Sequence, residues 1–360
     1  MRPVARFEMP VVWDERHRGH RDITGVFLGL PVAGDEEPDR ADALRAVLEG
    51  AGAPIVTATD HGDHPLHAVH DPEFVECLAT AHTRWVDEGH TKDPGQPLVV
   101  PYVFTPAGLT RGGRARRPAA VRADIGRFAS DTMTPLAAGT FVAARAAFDA
   151  ALTACDVVTA GARAAYAAVR PPGHHVGRDF FGGSCYLNNA AGAAEYLRRL
   201  GYPRVAVVDI DAHHGNGTQS IFYDRPDVWF GSVHIDPGAG WYPHFVGFAD
   251  ERGEGDGMGT NHNLVLAEGA GDAEWVDAVA TLCALAAVFE PQALVVSLGV
   301  DAAAEDPNSP LLVSDAGFRV AGAAIAGLAI PTVFVQEGGY VVDRLGGFVL
   351  SVLESFERGA

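Results

Sequence analysis

Three short stretches of this 360-residue chain carry side chains that could do chemistry together. In Val205-Ala-Val-Val-Asp209-Ile-Asp211-Ala-His213-His214 an apolar run leads into two carboxylates and two imidazoles. Side chains of a strand alternate between faces, so Asp209, Asp211 and His213 are expected on one face. Ala293–Leu298 is a second apolar run, and Asp301 follows it across Gly299-Val300. Parallel sheets form their sites at the carboxyl ends of strands, so Asp211, His213 and Asp301 could converge there. One imidazole and two carboxylates with an open position suit a catalytic zinc or iron(II) ion. Spacing alone leaves open a satisfied polar cluster at two strand ends.

The second stretch is Arg170-Pro-Pro-Gly-His174-His175, two adjacent imidazoles in a turn that proline and glycine make rigid. A neutral imidazole beside an activated water can act as a base, and a charged one as an acid. The third is Glu337-Gly338-Gly339-Tyr340, directly after the apolar run Thr332–Val335. Two glycines let the backbone turn sharply, and a phenol there could donate to a developing oxyanion. Taken alone, the histidine pair and the tyrosine are equally compatible with turns and packing.

The elements that must position these residues read as α/β. Val205–Ile210, Val228–Val233, Ala293–Leu298 and Thr332–Val335 are continuously apolar, as strands buried on both faces of a parallel sheet are. Helical stretches alternate with them at Phe141–Thr153, Ala190–Leu200, Trp275–Phe289 and Phe318–Leu328. The architecture expected is a central, mostly parallel sheet flanked by helices, with the site at the carboxyl ends of the strands. Two long Gly/Pro/charge-rich segments interrupt the pattern. Thr105–Thr134 holds Arg111, Arg114, Arg116, Arg117, Arg122 and Arg127; Pro237–Thr260 holds Asp250, Glu251, Glu254 and Asp256. Long irregular segments in compact domains are often functional loops.

Composition bounds the function. With 48% hydrophobic and 20% charged residues the chain can bury a sizeable core. A formal charge of −19 argues against a nucleic-acid binder, which needs a basic face. Four scattered cysteines (Cys77, Cys155, Cys185, Cys283) form neither a disulfide framework nor a thiolate zinc site. No secretory signal and no run long enough to span a membrane is evident, so a reducing cytoplasm is the expected compartment.

In this order, the stretches Arg170–Ala194, Val207–Val228, Val295–Pro307 and Glu337–Tyr340 resemble the zinc-dependent histone deacetylase/acetylpolyamine amidohydrolase family, on the arginase-like fold. The resemblance runs from about Thr140 to Leu353. The stretch VHIDPGAGWYPHFVGFADERGEGDGMGT looks closest to the acetylpolyamine amidohydrolase-like branch. It implies one catalytic domain over residues 1–360, with a loop at about 105–134 that borders the entrance and helps form a homodimer. It implies that Asp211, His213 and Asp301 hold zinc (iron(II) being the alternative in cells), which polarises the amide carbonyl and the attacking water. His175 would be the main base and acid, His174 its electrostatic support with Asp209 as partner, and Tyr340 the oxyanion donor. Asp209, Asp211, His213 and Ser232 match a structural potassium site. Asn216, behind His175, stands where several relatives have Asp; without a full charge it leaves His175 less basic. Gly183, Ser184 and Tyr242 match the walls of the substrate channel. Ser184 stands where the family usually has an aromatic, so a wider channel and a bulkier or more polar substrate are expected.

The activity implied is hydrolysis of an acyl-amide, foremost an N-acetylated small amine or polyamine, with protein acetyl-lysine as the alternative. A catalytically silent acyl-binding protein would lack a ligand, the tandem histidines or the tyrosine, and none is missing. An arginase-type ureohydrolase, with its pair of manganese ions, needs a richer Asp/His set.

Overall fold

The structure, a computed structural model, describes residues 7–92, 95–106, 108–110, 113 and 116–359. Its strands are β1 (Val11–Trp13), β2 (Thr24–Phe27), β3 (Leu30–Ala33), β4 (Ile55–Thr57), β5 (Ala164–Ala167), β6 (Val205–Asp209), β7 (Val228–Ile235), β8 (Asn261–Leu266), β9 (Ala293–Leu298) and β10 (Thr332–Gln336). Eight of them form one sheet in the order β4-β1-β5-β10-β9-β6-β7-β8. Every neighbouring pair in it is parallel, while β2 and β3 form a separate antiparallel hairpin.

The apolar runs are continuous because helices cover both faces. Ala206 and Val208 of β6, with Leu294, Val296 and Leu298 of β9, face one core. Val205 and Val207, with Ala293 and Val295, face the other. The first core is covered by α1 (Pro38–Ala51), α8 (Asp272–Phe289), α9 (Asp315–Ala326) and α10 (Val342–Arg358). The second is covered by α3 (Pro72–Asp87), α5 (Thr140–Thr159) and α6 (Asn189–Arg199). In α10, Leu345, Phe348, Val349, Val352 and Phe356 recur at helical spacing and are all buried. The alanine-rich α5 is buried over most of its surface, since a methyl side chain lets helix and sheet approach from several sides.

Cap chemistry sets several boundaries. Asp71 accepts from Glu73 N at 2.8 Å with Pro72 at the first turn of α3, and Asn188 accepts from Ala191 N at 2.8 Å to start α6. Short elements complete the chain: α2 (Asp63–Val69), α4 (Val121–Asp124) and α7 (Asn216–Phe222). No helix among the described residues is long and apolar enough to cross a membrane.

Candidate active site

Four adjacent strands, β5, β10, β9 and β6, each lead at their carboxyl ends into one of the segments that hold the candidate residues. After β6 the chain does not continue as a strand. Asp209 Oδ1 accepts from Asp211 N at 3.1 Å, and Asp211 Oδ1 accepts from His213 N at 2.9 Å. These successive side-chain-to-backbone bonds turn the backbone. The expectation that Asp209, Asp211 and His213 share a strand face is therefore corrected. Asp209 turns to His174, while Asp211 and His213 turn to Asp301.

His213 Nδ1 lies 2.9 Å from Asp301 Oδ2 and 3.4 Å from Asp211 Oδ1. One ligand atom from each of the three lies within 4.8 Å of the others. Asp301 Oδ1 accepts from Ala212 N at 2.8 Å and Asp211 Oδ2 from Gly338 N at 2.7 Å, so both carboxylates are aimed by backbone. Burial opposes charge on His213, yet its hydrogen bonds to the Asp211 and Asp301 carboxylates raise its pKa to about 10. A donor set that holds a proton so firmly fits a divalent cation. A second group, His174, Cys185 and Glu337, also has ligand atoms within 4.8 Å. Its members are engaged otherwise: Glu337 accepts from Gly173 N and His174 N, and Cys185 donates to Gly183 O.

The tandem histidines are buried and differ in environment. His174 Nδ1 is 3.0 Å from Asp209 Oδ2. Burial disfavours its charge, but the Asp211 and Asp209 carboxylates overcome this and bring it to about 10. His175 Nδ1 is 2.8 Å from Asn216 Oδ1, at the first turn of α7. An amide oxygen only accepts, so Nδ1 carries the proton and Nε2 is free to take one. Burial, together with His174 and His213, holds His175 well below the ordinary imidazole range.

Tyr340 is held from three sides, none of them signalled in sequence. Its N–H donates to Asp306 Oδ2 at 2.7 Å. The Arg40 guanidinium of α1 stacks 4.7 Å from its ring centroid. Arg40 also donates to Gly339 O at 2.6 Å and Glu337 O at 2.7 Å, which pins the turn. Burial pushes the Tyr340 phenol well above its usual range, with Arg40 opposing, so it stays a donor. Arg40 shares the buried Glu36 with Arg170, whose Nε and Nη2 donate to it at 2.8 and 2.7 Å. Burial would raise Glu36, but Arg170, His20 and Arg40 hold it well below the carboxylate range. Arg40, in α1, and Glu36, just before it, lie in an ordinary charged stretch that gives no clue to this role.

At the mouth, the rings of His175 and Tyr242 meet edge to face at 4.6 Å. Gly183, at φ 59°, lies so close that a Cβ would run into both His175 and Tyr242. Asp131, also unforeseen, accepts from Gly183 N at 2.6 Å and Met133 N at 2.8 Å. Ser184 is half-buried at φ 63° and donates its N–H to Thr134 Oγ1 at 2.9 Å. Ser232 pairs with Asp209 in the β6–β7 register, and its Oγ is 2.8 Å from His234 Nδ1. In the arginine-rich segment, Arg117 binds Glu76 and Asp124, and Arg127 binds Glu73 and Asp124, so both fasten the loop to α3 or its own short helix. Arg116 and Arg122 are exposed, and Arg111 and Arg114 lie outside the described residues.

Comparison with known proteins agrees with this geometry. The histone deacetylase domain matches residues 35–356. Acetylpolyamine amidohydrolase 1 of Pseudomonas aeruginosa is 41% identical over 97% of this chain and 99% of its own. The acetylpolyamine amidohydrolase of Mycoplana ramosa is 37% identical over 96% and 99%. A crystal structure of an acetylpolyamine aminohydrolase from Burkholderia pseudomallei superposes with a TM-score of 0.90 at 38% identity, covering 97% of this chain and 98% of that one. The sheet and its helices are thus those of the arginase/deacetylase-like fold, and the chain belongs to the histone deacetylase family of amide hydrolases.

Proposed function

We propose that this chain, as one catalytic domain over residues 1–360, is a metal-dependent deacetylase that hydrolyses an N-acylated small amine, foremost an acetylated polyamine. The observation that carries this is the meeting of the Asp211–His213–Asp301 cluster with a neutral His175, a carboxylate-paired His174 and a donor tyrosine at the carboxyl ends of the central strands. Its relatives named for acetylated polyamines span nearly its whole length. Zinc, or iron(II) in cells, held by Asp211, His213 and Asp301 would supply Lewis-acid polarisation of the amide carbonyl and of the attacking water.

The chain's own groups do the rest. His175 Nε2 takes the proton from water as it attacks and passes it to the leaving nitrogen. Asn216 keeps Nδ1 protonated, so one nitrogen does all the shuttling. His174 with Asp209 holds positive charge beside the reacting centre. The Tyr340 hydroxyl donates to the oxyanion, its position set by Asp306 and Arg40. Gly183, Ser184 and Tyr242 line the channel, and the small Ser184 side chain widens it toward a bulkier or more polar substrate.

Structural potassium at Asp209, Asp211, His213 and Ser232 belongs to the same reading. His234 Nε2 faces Gly247 O at 2.8 Å, so Nε2 carries the proton and Nδ1 accepts from the Ser232 hydroxyl. The Ser232 lone pairs are left for a cation. A homodimer through the mouth-side loops is supported by exposed apolar residues: Leu28 (86% exposed) and Leu30 (67%) on the β2–β3 hairpin, and Leu109 (74%) in the 105–134 segment. The hairpin joins the mouth through Val26 N donating to Thr132 O at 2.9 Å.

The deciding experiment is amine release by the zinc-loaded protein from acetylated polyamines, acetyl-lysine peptides and amines with longer acyl groups. Turnover of acetylated small amines, lost with a chelator and restored by zinc or iron(II), is expected. No turnover of any amide would sink the proposal, and preference for the peptide would shift the substrate to protein acetyl-lysine.

A further inference from the structure

Residues 177–188 follow the tandem histidines after Val176. They surface at Arg178 and Asp179, turn back in at Phe181, present the half-buried Gly183 and Ser184 to the channel and run buried from Cys185 to Asn188, the cap of α6. The far part of this excursion is tied to the loop at 128–134: Phe181 N donates to Phe128 O and Ser130 N to Phe181 O, both at 2.9 Å. Its base is closed by a side chain from outside the site. His70, just after α2, is fully buried, with Nδ1 2.9 Å from Gly177 O and Nε2 3.0 Å from Asn188 N.

A carbonyl only accepts and a backbone N–H only donates. Nδ1 therefore carries the proton and Nε2 is the acceptor, so the ring is neutral. Burial, with Arg178 and His67 nearby, holds His70 at about 3 against the pull of its bond to Gly177, in keeping with that tautomer. The rings of Phe74 and Phe148 lie 5.6 and 6.3 Å away and limit its movement. Two further bonds draw the same point together: Asn188 Nδ2 donates to Val176 O at 2.9 Å, and Asp71 N to Arg178 O at 2.7 Å. Imidazole alone among side chains offers one donor and one acceptor on a rigid ring, which is what two backbone groups of opposite kind require.

We propose that His70 is a positioning residue for the hydrolysis: it clasps the base of the 177–188 excursion, and through it sets the gap between the Gly183–Ser184 wall and Tyr242 and the seat of His175 against Asn216. This rests on the proposed acyl-amine hydrolysis, because the gap matters only if an acyl group enters it. His70 meets no reacting atom itself and acts through the loop.

The test uses the full-length, zinc-loaded protein with His70→Phe, which keeps a ring but neither bond, and His70→Asn, which keeps a donor near Nδ1. The readouts are zinc content, kcat and KM for N-acetyl and N-butanoyl amines, and hydrogen–deuterium exchange of residues 177–188. Zinc content should not change, since Asp211, His213 and Asp301 follow β6 and β9. Exchange at Asn188 and its neighbours should quicken about tenfold, the order of one lost buried hydrogen bond. The acetyl-to-butanoyl ratio of kcat/KM should fall about fivefold in His70→Phe, mainly through KM, as a loosened wall loses grip on the smaller acyl group. His70→Asn should fall between wild type and His70→Phe. A purely structural histidine would lower the melting temperature and scale both substrates alike. Equal scaling, or exchange unchanged from wild type, overturns the proposal. If the wild type cleaves neither amide, the hydrolase reading fails, while the exchange experiment still decides the clasp. If His70→Phe does not fold, His70→Asn carries both arms.

Discussion

In the proposed hydrolysis His175 and Tyr340 face opposite protonation demands, and each is met by its neighbours. His175 must be neutral to accept a proton, and burial with two nearby imidazoles keeps it so. Tyr340 must keep its proton to donate, and burial keeps it. Tyr340→Phe should lower kcat about 100-fold or more, the usual cost of one oxyanion donor, with zinc content unchanged. Steady-state kinetics beside metal analysis checks this, and near-wild-type turnover would remove Tyr340 from the oxyanion role. Asn216→Asp would put a carboxylate against His175 Nδ1, where the amide oxygen now sits at 2.8 Å. A negative neighbour favours the imidazolium, so the acid limb of the pH profile of kcat/KM should move to higher pH. A limb that stays in place, or moves down, would mean another group governs it.

At the scale of elements, the site depends on contacts far from it in sequence. Arg40, on α1, supports the turn after β10, and Glu36, just before α1, pairs both Arg40 and the Arg170 that opens the histidine loop. Removing one partner from a buried ion cluster leaves uncompensated charge. Glu36→Gln should therefore cost about 3 kcal/mol of stability, visible in a denaturant melt, and should also reduce turnover by loosening Tyr340. A melt within error of wild type would show that the two guanidiniums find other partners. The arginine-rich loop follows the same logic. Asp124 gathers Arg84, Arg117 and Arg127, so these charges hold the loop in place and are largely neutralised.

At the scale of the whole molecule, the charge of −19 says little about the mouth, because local pairing decides its sign. Buried histidines matter more for behaviour with pH. His17 is held at about 4 by burial and by Arg170 and Arg18, and His70 at about 3. Both folded values lie below the unfolded value, so in acid the unfolded chain binds more protons. Their contribution is complete above pH 6.5 and is lost as pH falls from there toward 4 for His17 and toward 3 for His70, at up to about 1.4 kcal/mol per pH unit for each group. Thermal melts from pH 7 to 5 should show falling stability, with a shallower slope in His70→Phe; equal slopes would contradict the neutral buried state. The exposed hairpin gives another expectation: Leu28→Glu should shift the protein toward a smaller species in size-exclusion chromatography. An elution volume equal to wild type would exclude the hairpin from a dimer contact.

The sequence by itself pointed to four of the eight strands of the main sheet and to the residues proposed to react. Strands buried on both faces must be continuously apolar, and Ala293–Leu298 was legible to the residue. Asp211, His213, Asp301, the histidine pair and Tyr340 follow such runs or sharp turns, where polar side chains stand out. The short β1, β4 and β5 did not stand out, since three or four residues carry too little pattern to separate a strand from a turn, and neither did the edge strand β8, whose NHNLVL is only partly apolar. Only the tertiary structure decided what holds the reactive residues. The turn that separates Asp209 from Asp211, the Arg40–Glu36–Arg170 cluster, Asp306 beneath Tyr340, Asp131 under Gly183 and the His70 clasp all join residues distant along the chain or lying just past a strand end. Their bonds depend on where the backbone brings one donor to one acceptor. No local pattern of residue types encodes that meeting.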